Sequence, residues 1–172
     1  MHREMNITGR SAFTLLEVLV VITILAVVAV LAAPSFSDDS RLRLMAASTI
    51  LGSDIELAQV MTISQPENPV VVTLDVNQNR YWLAYASAPE VPMNRADTGD
   101  AYLVVMGEGR AATAIGVTLA TTAISDDILV FNAQGGLEDF TAQPKITLAL
   151  NGQWIELAIA PSTGTITETN GP

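Results

Sequence analysis

Two patterns of hydrophobicity follow one another along the chain. From Phe13 to Ala33 every residue is apolar except Thr14, Glu17 and Thr23, and a stretch with no polar stripe predicts a helix that is apolar on every side. At 1.5 Å per residue it extends about 31 Å, close to the ~30 Å hydrocarbon core of a bilayer. Residues 13–33 are therefore expected to form a transmembrane helix. Past Pro34 the spacing changes: Leu44, Ala47, Leu51, Ile55, Ala58 and Met61 recur at intervals of three and four, with Asp54, Glu56 and Gln59 falling off that stripe. This predicts an amphipathic helix over residues 34–63 that lays its apolar face on a sheet. Pro34 has no amide proton for the helical ladder and crowds the preceding turn, so a kink is expected where the helix leaves the membrane.

Beyond Pro66 and Pro69 the period shortens to two, and residues 64–172 read as a β-rich domain. Strands are expected at 69–75 and 80–85, joined by a turn at Asn77-Gln78-Asn79. Shorter ones are expected at 101–106, 115–121 and 128–132, after a loop at 86–100 rich in Pro, Ala, Asp and Gly. Residues 145–150 and 153–160 flank Asn151-Gly152, whose members both tolerate positive φ, and form the strongest hairpin signal in the chain. The fold class is thus α+β: one long N-terminal helix, transmembrane in its first half and amphipathic in its second, packed on an antiparallel sheet of six or seven short strands.

Charge fixes the orientation. Arg3 and Arg10 precede the apolar stretch while Asp38 and Asp39 follow it, which places the N-terminus in the cytoplasm and the bulk of the chain outside. A secretory signal peptide has an apolar core of about 7–15 residues, well short of this run; a plain signal anchor fits its length. Glu17 is what a plain anchor leaves unexplained, because a carboxylate in a lipid-facing helix costs about 2–3 kcal/mol near its centre and needs a partner. About 6 Å of helix separates it from Phe13, whose amino group, if freed, would be the natural countercharge.

The string from Ala12 through Phe13, Thr14, Leu15, Leu16 and Glu17 to Ile22 resembles the cleavage and methylation motif of type IV prepilins and pseudopilins. A short basic leader, a small residue followed by Phe, Glu at the fifth mature position and Pro34 at the twenty-second all match that pattern. The resemblance implies a pilin-like fold, with residues 1–12 as the leader peptide. It implies that a prepilin peptidase cuts between Ala12 and Phe13 and methylates the new amino group of Phe13. It also implies that Glu17 neutralises the amino terminus of a neighbouring subunit during assembly. The family's usual residue before the cut is Gly, whereas here it is Ala12, with Gly9 three places too early; inefficient cleavage is the expected penalty.

A looser likeness covers the end of the chain. Phe131 to Gly135, the hairpin that follows, and the closing Gly164 to Ile166 resemble H-type minor pseudopilins of type II secretion and FimT-like minor pilins. The partners implied are other pilin or pseudopilin subunits, the prepilin peptidase and inner-membrane lipid. The location implied is a single-pass inner-membrane protein with its C-terminal domain outside the cytoplasm.

Composition argues for a structural subunit rather than an enzyme. The sole histidine is His2, in the leader, so the mature chain has no imidazole for acid-base or metal chemistry, and without cysteine there is neither a thiolate nor a disulfide. A formal net charge of -10, with no Lys or Arg after Lys145, repels phosphate backbones, and no nucleic-acid partner is expected. Asp126 and Asp127 are adjacent and read as a solvated turn rather than a catalytic dyad. Asp97 and Asp100 match no defined calcium loop, and no metal or cofactor is expected. Gly107-Glu108-Gly109 and Gly135-Gly136 read as turns, since neither has the glycine spacing of a phosphate loop. Tyr81 and Tyr85 share one strand face, with Trp82 on the other; core packing is the expected fate, with an exposed remainder able to touch a neighbour. Two further readings stay open: a minor pilin of a type IV pilus or DNA-uptake system, and a signal-anchored exported domain unrelated to filaments.

Overall fold

A computed structural model describes residues 14–31, 36–138, 140 and 142–172. The chain divides into two units, Met1–Phe36 and Ser37–Pro172. In the first, α1 (Leu15–Leu31) is an α-helix of 17 residues whose large side chains from Leu15 to Val28 are all exposed. No helix among the described residues is long and apolar enough to cross a membrane; α1 extends about 26 Å. The expected span was longer: Thr14 precedes the helix instead of belonging to it, and Phe13 and residues 32–33 lie outside the described residues.

The amphipathic helix is α2, Phe36–Ser64. Leu44, Ala47, Leu51, Ile55 and Ala58 are at most 1% exposed, as their spacing requires, and Met61 packs against the same core. Its C-terminal end is tied to the sheet by Thr62, whose buried hydroxyl accepts from the Val70 amide at 2.9 Å and donates to the Val70 carbonyl. Near its N-terminal end Ser40 Oγ accepts from Asn151 Nδ2 at 3.0 Å.

Eight strands follow among the described residues: β1 (Val70–Asp75), β2 (Arg80–Tyr85), β3 (Leu103–Val105), β4 (Thr118–Thr122), β5 (Ile128–Val130), β6 (Lys145–Leu150), β7 (Gln153–Ile159) and β8 (Ile166–Gly171). They form two antiparallel four-stranded sheets, ordered β3-β2-β1-β5 and β4-β6-β7-β8, where a single sheet of six or seven strands was expected. The difference has two causes. Alternation along a strand tells which face is apolar but not which strand lies beside it, and β4 pairs with β6 while β5 returns to β1. The last strand, Ile-Thr-Glu-Thr-Asn-Gly, shows no apolar alternation because it is an outer strand whose middle is exposed; its order comes from pairing with β7.

Both predicted tight turns form where the residues tolerate left-handed backbone. Asn79 (φ 48°) closes the β1-β2 connection, and Asn151 (φ 51°) with Gly152 (φ 82°) closes β6-β7. Asn79 also links the two sheets, its side-chain oxygen accepting from the Leu119 amide at 3.0 Å. The buried stripe of α2, the inner face of the first sheet (Val72, Tyr81, Leu83) and that of the second (Ile146, Leu148, Leu157) make one continuous core.

Candidate functional site

In the N-terminal unit, Thr14 precedes the first turn of α1 and its Oγ1 accepts the Glu17 amide at 3.2 Å, while its carbonyl accepts the Val18 amide. This is the N-cap geometry that Ser and Thr favour, and an acid three residues further on suits the positive end of the helix dipole. Glu17 is exposed, on a helix whose other exposed side chains are almost all apolar. Its carboxylate makes no ion pair among the described residues. It is therefore available to a cation from outside the helix. Ala12 and Phe13, the expected cleavage site, and Pro34, the expected kink, lie outside the described residues.

The domain holds a charged cluster that the sequence pattern hid. Asp54 falls off the apolar stripe of α2 yet is 1% exposed. Its Oδ2 accepts the Tyr81 hydroxyl at 2.7 Å; its Oδ1 accepts the Tyr102 hydroxyl at 2.7 Å and Arg110 Nη2 at 3.0 Å. Arg110 also donates to the Tyr102 hydroxyl, and both Arg95 and Arg110 lie against the Tyr102 ring. Burial, and next the Asp54 carboxylate, push the Tyr81 phenol far above its ordinary range, and the same causes raise Tyr102. Burial alone would loosen the Arg110 proton, but the Tyr102 hydroxyl and Asp54 more than offset it. With both carboxylate oxygens occupied, the cluster is a satisfied polar tie between helix, sheet and the 109–114 segment, with no free base or nucleophile. Two tyrosines and an arginine at wide separation from Asp54 in sequence gave no local signal of it.

Gln59, also off the stripe, forms a second polar tie, its Nε2 donating to the carbonyls of Gly135 at 2.7 Å and Thr163 at 2.8 Å. The remaining candidates are separate. Asp97 binds Arg95 and the Thr98 amide, the Arg95 hydrogen bond being the main cause of a lowered carboxyl pKa. Among the described residues no three His, Cys, Asp or Glu side chains converge where they could hold a metal ion. Asp126 and Asp127 lie in a turn before β5, both at positive φ, with Asp127 accepting from the Thr121 hydroxyl. Gly107 and Gly135 occupy turns at φ 89° and 85°. Of the aromatic cluster, Tyr81 is fully buried, Tyr85 is exposed, and Trp82 on the outer face donates its indole N–H to the Pro89 carbonyl at 2.8 Å.

No curated protein and no solved structure matches the chain. Residues 7–33 match the prokaryotic N-terminal methylation motif, a stretch that contains Ala12, Phe13 and Glu17. The match supports a type IV pilin-like protein that is processed by a prepilin peptidase, assembles with other pilin subunits and carries an N-terminal membrane signal anchor.

Proposed function

We propose that the chain is a structural, non-catalytic minor pseudopilin of a type II secretion pseudopilus or a related filament. It is held in the inner membrane by a single pass, with its N-terminus in the cytoplasm and its C-terminal domain outside. Cleavage between Ala12 and Phe13 and methylation at Phe13 would leave Glu17 at the fifth position of the mature chain. The observation that carries this reading is Glu17, an acid with no ion pair among the described residues, on a helix apolar but for it and Thr23, inside the stretch that matches the methylation motif. Lipid penalises an uncompensated carboxylate, and a neighbouring subunit's N-terminal amine removes that penalty only on assembly. The pseudopilus is favoured over a DNA-uptake pilus because no Lys or Arg follows Lys145 and the net charge is -10.

The test is the intact mass and N-terminal residue of the protein purified from host membranes, with and without the prepilin peptidase. A chain that begins at N-methylated Phe13, and is uncut when the peptidase is missing, is expected. An uncut chain in both strains would make this a signal-anchored domain instead.

A further inference from the structure

The outer face of the first sheet, turned away from α2, carries a groove. Two adjoining cavities of about 320 and 280 Å³ share Pro89, Asp126 and Ile128. The floor of the larger cavity is apolar: Val71, Ile128 and Val130 alternate with the core-facing Val72 and Leu129 on β1 and β5, whereas the smaller one is also lined by Thr73, Asp75, Asn77 and Asp127. Around it stand the exposed carboxylates of Glu90, Asp126 and Glu138. None of the three is in an ion pair among the described residues. Among the described residues of the domain, Arg43, Arg80, Arg95, Arg110 and Lys145 are each bound to another acid, and Arg41 lines two other cavities, one of them with Trp154.

We propose that this groove is a docking site for a segment of a partner protein that presents a lysine or arginine beside apolar side chains. The apolar floor calls for aliphatic contact, and the unneutralised rim calls for a cation. Charge selects against the competing occupants. Nucleic acid and anionic lipid would meet a rim of carboxylates, and a second copy of this chain brings the same net charge of -10. The inference rests on this face alone and does not depend on how the N-terminus is processed.

The probe is a short fluorescent peptide alternating lysine and valine, titrated by anisotropy against the full chain in non-ionic detergent. Companion peptides carry glutamate in place of lysine, or serine in place of valine. The lysine-valine peptide is expected to bind and the other two to bind at least about tenfold more weakly. The double variant Asp126→Asn, Glu138→Gln should lose about tenfold in affinity in the same micelles. Asparagine tolerates the left-handed backbone at position 126, so this variant keeps the turn; Glu138→Gln alone, at an exposed position, is a second variant that leaves that turn untouched. Binding should weaken as salt is raised. Absence of binding, equal binding by the charge variants, indifference to salt, or equal binding of the glutamate peptide would each overturn the proposal.

Discussion

The Tyr81 hydroxyl lies 2.7 Å from Asp54 Oδ2, which joins the middle of α2 to the second strand of the first sheet through a buried carboxylate. Removing that carboxylate strands two phenols and leaves the Arg110 guanidinium, whose side chain is 31% exposed, without its acid. Asp54→Ala should therefore destabilise the domain by about 3 kcal/mol, at the lower end of the cost of breaking a buried pair because Arg110 can reach water. Urea denaturation of the full chain in detergent measures it, and a loss below about 1 kcal/mol would mean that the carboxylate contributes little.

The same contact makes stability depend on alkaline pH. The Tyr81 phenol is raised above its ordinary 10.0 by burial and by Asp54, and Tyr102 is raised likewise. The folded state thus holds protons that the unfolded state releases, so their contribution is complete below about pH 10 and is lost as pH climbs above it. Denaturation midpoints measured from about pH 8 to about pH 11.5 should fall across the upper part of that range. Tyr81→Phe, less stable at neutral pH by about 1 kcal/mol, should show a shallower fall. An unchanged slope in the variant would remove Tyr81 from the account.

At the N-terminus the expected effects separate processing from assembly. Glu17→Leu should be inserted and cleaved normally yet enter filaments poorly, scored as the fraction of mature subunit in sheared filaments. Normal incorporation would exclude charge pairing as the role of Glu17. Ala12→Gly, which restores the smaller residue before the cut, should be processed several-fold faster in a pulse-chase; an unchanged rate would show that the methyl group of Ala12 is no obstacle.

Gly164 packs where no side chain fits. It holds φ 68°, and a Cβ there would collide with Gln59 Nε2 and the Gly135 carbonyl. Gly164→Ala should cost about 3 kcal/mol by combining left-handed strain with displacement of the Gln59 bridge. Gln59→Ala should cost about 1–2 kcal/mol because two carbonyls lose their donor. If thermal unfolding shows Gly164→Ala to be as stable as the parent, the tight approach is not maintained in solution.

What the sequence alone determined are the features set by residues close together in the chain. The 3-and-4 spacing of Leu44 to Ala58 specifies the buried face of α2, and Asn151-Gly152 specifies a turn, because helical and hairpin geometry are local. The apolar run from Phe13 with its single acid, Glu17, is a local signal too, and it is the part that the methylation motif matches. Tertiary structure decided the rest. The division into two sheets depends on β4 choosing β6 and β5 choosing β1, a choice that alternation does not encode. The fate of Asp54 and Gln59 depended on the partners that folding brings to them. Both fall off the apolar stripe, and they are nonetheless buried or half-buried because Tyr81, Tyr102 and Arg110, or the carbonyls of Gly135 and Thr163, arrive from distant segments. A polar side chain is stable inside when its hydrogen bonds are met there, and those bonds exist only once the chain has closed on itself.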